Sequence, residues 1–399
     1  MTRSRWRLRA LMGMVLVGVA VVSCLAPTPG APVLAMPPLG APPTLRLSDQ
    51  TPFVSDGDML TLTLDLDRSP PDAQVVFRLH ADVAAAGRDR DLVLTDGERL
   101  GSPTRTVRVP LDRLPTDAAG DLVAAFPILA DQVSPLGGFQ LSRPGVYPLS
   151  VTLEAADGAD LDTFVTHVVN LPVDDGDDYV PLDVVIPVSL THGPALSPSG
   201  QRSLPESFTE RAADVLDALT AYPETAPTLL VTPETLGELA RQVSDRGLTL
   251  DALAPTVNVP RRPYVDVEVS AWLEAGMGGE LLRQFAIGAE TQRAELARTP
   301  DPRTWIVDEA TSPSSLDWFA ATGTEVLVVP SDRLVPLEDP GPFSFLSPFE
   351  VVTPDGVRLA ALATDPALEA HVTDAGDPAL AAQHTLADLA MLWFEQPGT

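Results

Sequence analysis

Met59-Leu60-Thr61-Leu62-Thr63-Leu64 alternates with a period of two, so its leucines share one face of a strand and its threonines the other. Comparable segments lie at residues 75–79, 106–109, 146–153 and 164–171. Turn signals separate them: Ser69-Pro70-Pro71, Asp96-Gly97, Arg143-Pro144-Gly145 and Asp157-Gly158. Short strands broken in this way predict an all-β sandwich over residues 44–172.

Within it, Pro144-Gly145-Val146-Tyr147-Pro148-Leu149-Ser150-Val151 resembles the penultimate strand of many bacterial immunoglobulin-like modules. The resemblance implies an immunoglobulin-like sandwich in which Tyr147 ties a loop to the strand start. His80 and His167 fall in or beside strands and read as ordinary sheet residues. Residues 173–179 (Val173-Asp174-Asp175-Gly176-Asp177-Asp178-Tyr179) lack the spacing of an EF-hand loop and read as an acidic linker.

Beyond residue 180 the pattern changes to alternating strands and helices. Apolar runs at 184–189, 228–231, 256–259, 304–307, 325–329 and 357–363 read as strands. Helix starts stand between them: the Ser207/Glu210 capping box, Thr232-Pro233, Ser312-Pro313 and Asp377-Pro378. Gly323 reads as the stop of the third of these helices. Six strand signals alternating with helices predict a mostly parallel sheet, closed or nearly closed into an α/β (β/α) barrel, with a doubly wound sheet as the alternative. The last helix, 379–395, has no strand after it, and Gln396-Pro397-Gly398-Thr399 reads as a turn into one. The 180–399 domain is therefore expected to be incomplete at its C-terminus.

The first residues read as an export signal. Arg3, Arg5, Arg7 and Arg9 precede an apolar core at 11–22, shorter than the roughly 20 residues that span a bilayer. Val21-Val22-Ser23-Cys24 resembles the lipobox of bacterial lipoproteins, which implies lipidation at Cys24 and a signal over 1–24. Cleavage after Val33-Leu34-Ala35 is the other reading, and residues 25–43 form a Pro/Ala-rich tether. Both readings place the body of the protein outside the cytoplasm, at the cell membrane or envelope.

Composition removes several classes of function. The chain has 399 residues and a formal net charge of −29, and its 26 basic residues are all arginine. Such a surface does not bind nucleic acid, which requires basic groups on the phosphates. One cysteine and 5 histidines exclude a multi-thiolate metal site and disfavour a histidine-rich one, so no metal is expected. No strand is followed by a glycine-rich phosphate loop, so no nucleotide and no cofactor are implied.

Chemistry in β/α folds sits at the C-terminal ends of the strands. Reading those ends gives His192, Thr232, the run Arg261, Arg262, Tyr264, Asp266 and Glu268, then Asp308 and Glu309, Asp332, and Asp365. Carboxylates with an arginine pair and aromatics suit carbohydrate, and glycoside hydrolysis needs two carboxyl groups. Acidic residues also cap the helices that start there, which is the simplest role for Asp365 before Pro366. Trp305 beside Asp308 and Glu309 reads as a sugar-facing pair, with Asp308 and Asp266 as the catalytic candidates. His192, Arg262, Tyr264, Trp305 and Glu309 are the ligand-binding candidates.

Residues 305–330 resemble the W-x-P-E segment, helix and following strand of the barrels shared by family fifty-seven glycoside hydrolases and polysaccharide deacetylases. That likeness implies a nucleophilic role for Asp308, although Val307 replaces the proline and Asp replaces Glu. The deacetylases' H-x-x-x-H zinc pair is missing. Over nearly its full length the chain resembles an uncharacterised envelope-protein family of high-GC Gram-positive bacteria. The resemblance rests on the signal peptide, the immunoglobulin-like domain, Pro187-Val188-Ser189-Leu190, Pro263-Tyr264-Val265-Asp266, Trp305 to Asp308, and residues 386–398. It implies attachment to the membrane by a lipid or by a missing C-terminal helix, and it implies no particular reaction. Three readings follow: a degenerate barrel that binds cell-envelope polysaccharide or assists wall assembly, an active glycoside hydrolase, and a structural surface protein.

Overall fold

The computed structural model describes residues 14–17, 43–83, 100–130, 137–172, 182–244, 250, 257–308, 311–334, 348–373 and 377–395. Cys24, tether residues 25–42, the acidic linker 173–179 and Glu309 lie outside the described residues. The chain begins with β1 (Met14–Val17), β2 (Leu45–Gln50), β3 (Met59–Leu66), β4 (Gln74–Leu79) and β5 (Arg105–Pro110). Then come β6 (Leu122–Leu129), β7 (Phe139–Gln140), β8 (Gly145–Glu154), β9 (Asp160–Asn170), β10 (Leu182–Val185) and β11 (Pro187–Ser189). Helix α1 (Glu206–Ala221), β12 (Thr228–Leu230), α2 (Pro233–Ser244), α3 (Val269–Glu274) and α4 (Gly278–Leu296) follow. The order closes with β13 (Thr304–Ile306), α5 (Pro313–Ala321), β14 (Val326–Val329), β15 (Phe349–Val352), β16 (Arg358–Ala363), α6 (Pro366–Thr373) and α7 (Pro378–Glu395).

These elements form two compact units, Thr28–Tyr179 with Ala370–Thr399, and Met1–Pro27 with Val180–Glu369. The first unit has two four-stranded sheets, β2-β3-β6-β7 and β5-β4-β8-β9. The period-two pattern of β3 buries Leu60, Leu62 and Leu64 completely, and they share one core with Phe77, Leu149 and Val151 of the other sheet. Tyr147 donates its hydroxyl to the Arg143 carbonyl at 2.8 Å, and Asn170 Nδ2 donates to the same oxygen at 2.6 Å. Together they fix the turn into β8.

Strand β8 is buried on both faces, and this is where the expected fold fails. Its second face needs a cover, which comes from the far end of the chain: α7 packs on β2, β8 and β9. Ala387, Ala390 and Met391 of α7 cluster with Val146 and Val169. Asp377 places the helix, since its Oδ1 accepts Leu380 N–H and its Oδ2 accepts Leu47 N–H, each at 3.1 Å. Burying one large apolar side chain contributes about 1.5–3 kcal/mol, so Met391, at 1% exposure in that cluster, drives the docking while Asp377 sets its register. Strand β7 also joins β6 in parallel. Residues 44–172 are thus not a self-contained immunoglobulin-like sandwich.

Nor does the second unit close into a barrel. Its strands fall into separate sheets: β1-β10, β11-β12 and β13-β14-β16-β15. Pairing is parallel except where β15 runs antiparallel on β16 and ends the sheet. Single parallel bridges at Thr228–Asn258 and Pro260–Asp301 extend the arrangement from β12 toward β13 without forming a ladder. The physical reason lies in the short pairings: ladders of three or four residues and single bridges cannot carry the continuous stagger that closure demands. The chain is a mixed α/β protein with several small sheets. Strand β1, inside the expected signal core, pairs in parallel with β10.

Helix starts mostly follow the sequence. Pro233 and Pro313 each take the first position of a helix, and Gly323 adopts the positive φ of 98° that follows α5. The capping box does not form, because Pro205 precedes the helix and Ser207 sits inside its first turn.

Candidate functional site

The segment 260–266 of the second unit is held rigidly by its main chain. Arg261 N–H donates to the Asp301 carbonyl at 2.8 Å, and Asp301 N–H donates to the Val259 carbonyl at 2.8 Å. Tyr264 N–H donates to the Gln284 carbonyl on α4 at 3.0 Å, while Tyr264 C=O accepts Glu234 N–H at the start of α2 at 2.9 Å. Gln292 Nε2 supports the Pro260 carbonyl at 3.0 Å. Gly288 on α4 makes this approach possible, since a Cβ there would lie 2.2 Å from the Arg262 carbonyl oxygen.

So anchored, the two arginines lie over an aromatic cluster. The Arg261 guanidinium sits 5.1 Å from the centre of the Phe285 ring, and its Nη2 donates to the Thr322 carbonyl at 3.2 Å. The Arg262 guanidinium sits 5.4 Å from the centre of the Trp305 ring. Trp305 stacks on Phe319 at 4.2 Å and 29°, with Phe285 behind it. Burial lowers the affinity of both guanidiniums for their proton, and at Arg262 the charges of Asp266 and Asp308 oppose that shift. Arg262 Nε is buried and has no hydrogen-bond partner among the described residues.

Asp308 follows β13, whose register is continued by Val307 N–H donating to the Val328 carbonyl at 2.8 Å. Its side chain is exposed, and its Oδ1 accepts the Thr311 hydroxyl at 2.6 Å. Asp266 is exposed as well. Arg262, Asp266 and Asp308 therefore form one electrostatic group at the end of β13, and the rigid segment carrying Arg262 also carries Tyr264. Trp305 belongs beneath this group rather than on its surface: it is 4% exposed, and its Nε1 finds no hydrogen-bond partner among the described residues. His192 makes other contacts. Its Nδ1 lies 2.9 Å from the Gly193 carbonyl and its ring 5.1 Å from Phe208. Asp365 accepts Ala367 N–H at 3.0 Å and Leu368 N–H at 3.3 Å, as a helix cap does.

Two polar clusters do not stand out in the sequence. On α2, Glu238 is buried and accepts hydrogen bonds from Arg241 and from Gln242 Nε2, the latter at 2.8 Å, while Thr209 donates to Gln242 at 2.6 Å. Burial opposes the Glu238 charge, but the hydrogen bonds and the Arg241 and Arg202 charges outweigh it and lower the carboxyl below its ordinary value. The visible signal is a glutamate one helical turn after Glu234, between Leu236 and Leu239. The other cluster joins His167, His371, His384 and Asp388 in the first unit. Among the described residues no group of three or more His, Cys, Asp or Glu is arranged to hold a metal ion.

No protein-family model matches the chain, and no curated protein matches it. Among solved structures it is similar to a family 76 glycoside hydrolase from a bovine Bacteroides thetaiotaomicron strain, with 11% identity and a TM-score of 0.20. The match covers 31% of this chain and 20% of that one, an extent that carries no argument about activity. Among the described residues no helix is long and apolar enough to cross a membrane.

Proposed function

We propose that this is an extracytoplasmic envelope protein that binds cell-envelope polysaccharide, without hydrolysing it, through Arg262, Tyr264, Asp266 and Asp308. The reading of its location rests on the export-signal pattern of residues 1–24 and on the likeness to envelope proteins of high-GC Gram-positive bacteria, with attachment through a lipid on Cys24. The reading of the site rests on one observation: a guanidinium acted on by both carboxylate charges and laid over an indole. Arg and Asp side chains so fixed offer donors and acceptors together, which is what sugar hydroxyls require. Hydrolysis instead needs one carboxyl kept as an acid and another as nucleophile or base across the bond. Here both carboxylates are exposed, and Asp308 is held by the Thr311 hydroxyl at 2.6 Å.

The test is retention of the full chain on insoluble envelope polysaccharide, with reducing ends assayed in parallel. Wild type should be retained without releasing reducing ends. The Asp266→Asn/Asp308→Asn double variant should bind about tenfold or more weakly, the loss of one charge-assisted hydrogen bond being worth about 1.5–3 kcal/mol. Release of reducing ends that Asp308→Asn abolishes would establish the hydrolase instead, and no retention of wild type would remove the proposal.

A further inference from the structure

Three of the chain's 5 histidines meet where α7 docks on the first unit. His384 of α7 lies edge-on to His167 of β9, with ring centres 5.3 Å apart, and edge-on to His371 of α6 at 5.8 Å. His167 is fully buried. His384 Nε2 donates to the Val165 carbonyl at 2.8 Å, which leaves Nδ1 as the bare nitrogen when the ring is neutral. His371 Nε2 lies 3.3 Å from Oδ2 of Asp388, which is itself fully buried. Gln50 of β2 completes the seam by donating to the His167 carbonyl at 2.7 Å, and Gln383 Nε2 donates to the Gln50 carbonyl at 3.3 Å.

We propose that α7 is an acid-released strap, docked while the His384 imidazole is neutral and freed when it takes up a proton. Among the described residues the charged and titratable groups around His384 are His167 from β9, His371 from α6 and Asp377 at the start of α7, with Asp388 beyond them against His371; β2 and β8 contribute Gln50 and Val146. A charged His384 lies between the His167 and His371 rings in a seam largely shielded from solvent, with its Nε2 already committed to the Val165 carbonyl. Undocking returns it to full hydration.

Burial lowers the His384 proton affinity below its ordinary value; the Val165 carbonyl opposes this, the His371 charge adds to it, and the Asp377 charge opposes it. A proton affinity lower when docked than when free means that the docked form holds fewer protons. Docking is then fully supported above the free value of 6.5 and weakens as the pH falls below it. A His384 ring that stays neutral in the docked form lowers the docking constant up to about tenfold per pH unit. None of this depends on the proposed polysaccharide site, which belongs to the other unit.

Hydrogen exchange on the full chain at pH 7.5 and 5.5, normalised to the intrinsic amide rate at each pH, reads the docking equilibrium. Amides 381–392 of α7 should lose about tenfold in protection at pH 5.5, while those of β3 (59–66) keep theirs. His384→Gln can still donate to Val165 but cannot be protonated, and it should hold α7 protected at both values. Equal wild-type protection at the two pH values overturns the proposal, as does joint loss from α7 and β3. A wild-type response retained in H384Q also overturns it. The wild-type comparison decides by itself if H384Q does not fold.

Discussion

Substituting Gly288 by alanine tests the packing that holds the arginine segment. An alanine in the middle of a helix normally stabilises it relative to glycine by about 1 kcal/mol, and Gly288 lies well inside α4 (Gly278–Leu296). Here the added Cβ would lie 2.2 Å from the Arg262 carbonyl oxygen and 3.1 Å from both Pro233 Cγ and Tyr264 N. The nearest of these is backbone, so the segment must move. Overpacking of this kind costs about 1–3 kcal/mol. Displacing Tyr264 also weakens its hydrogen bond to Gln284, worth a further 0.5–1.5 kcal/mol or so. Set against the helix gain, the expected net loss is about 2 kcal/mol. Thermal melting of the full chain, followed by near-ultraviolet circular dichroism of the tryptophans around Arg262, should show a drop of roughly 4–8 °C. At Gly279, in the first turn of the same helix, an added Cβ would meet nothing within 4 Å, so Gly279→Ala should be neutral or stabilising. A Gly288→Ala protein as stable as wild type would refute the account of how this segment is fixed.

The aromatic cluster and the buried glutamate give two more expectations. Trp305→Ala should cost about 3–5 kcal/mol by leaving a cavity. Trp305→Phe keeps one ring and should cost clearly less than Trp305→Ala, the loss coming from the smaller cavity alone, because Nε1 has no hydrogen bond to lose among the described residues; urea midpoints of the two variants check the order. The Glu238 carboxyl is lowered in the folded chain, so its contribution to stability is present above the ordinary value of 4.5 and fades as the pH falls through the folded one. Glu238→Gln should therefore lose stability at pH 7 and show a shallower decline between pH 5 and 3. Parallel declines in the two proteins would exclude Glu238 from that acid limb.

Local structure is legible in the sequence where one chain segment determines it. The alternation of β3, the prolines opening α2 and α5, and the cap at Asp365 all follow from residues within a turn of one another. Tyr147 is legible for the same reason, its partner being four residues away. What is not legible depends on distant partners. Nothing in Pro144–Val151 says that its second face will be covered by residues near 390, so an ordinary sandwich is the simplest completion. The strand signals after residue 180 give the parallel neighbours, yet their pairing stops at ladders of three or four residues and single bridges, too little to close a barrel. Trp305 reads as a surface platform because it adjoins a carboxylate at a strand end. Its stacking on Phe319 requires a helix to return over it. The imidazole cluster is hidden most completely, since His167 and His384 come together only through the docking of α7.

That docking sets an order of events during synthesis. Leu47 and Asp377 are hydrogen-bonded across 330 residues of chain, so the unit begun by the first sheet strands stays unfinished until nearly the whole polypeptide has emerged. Contacts so remote in sequence are slow to form. A chain halted anywhere between 180 and 377 would hold all the strands of that unit but leave Val146 and Val169 bare, a sticky surface waiting for its last piece.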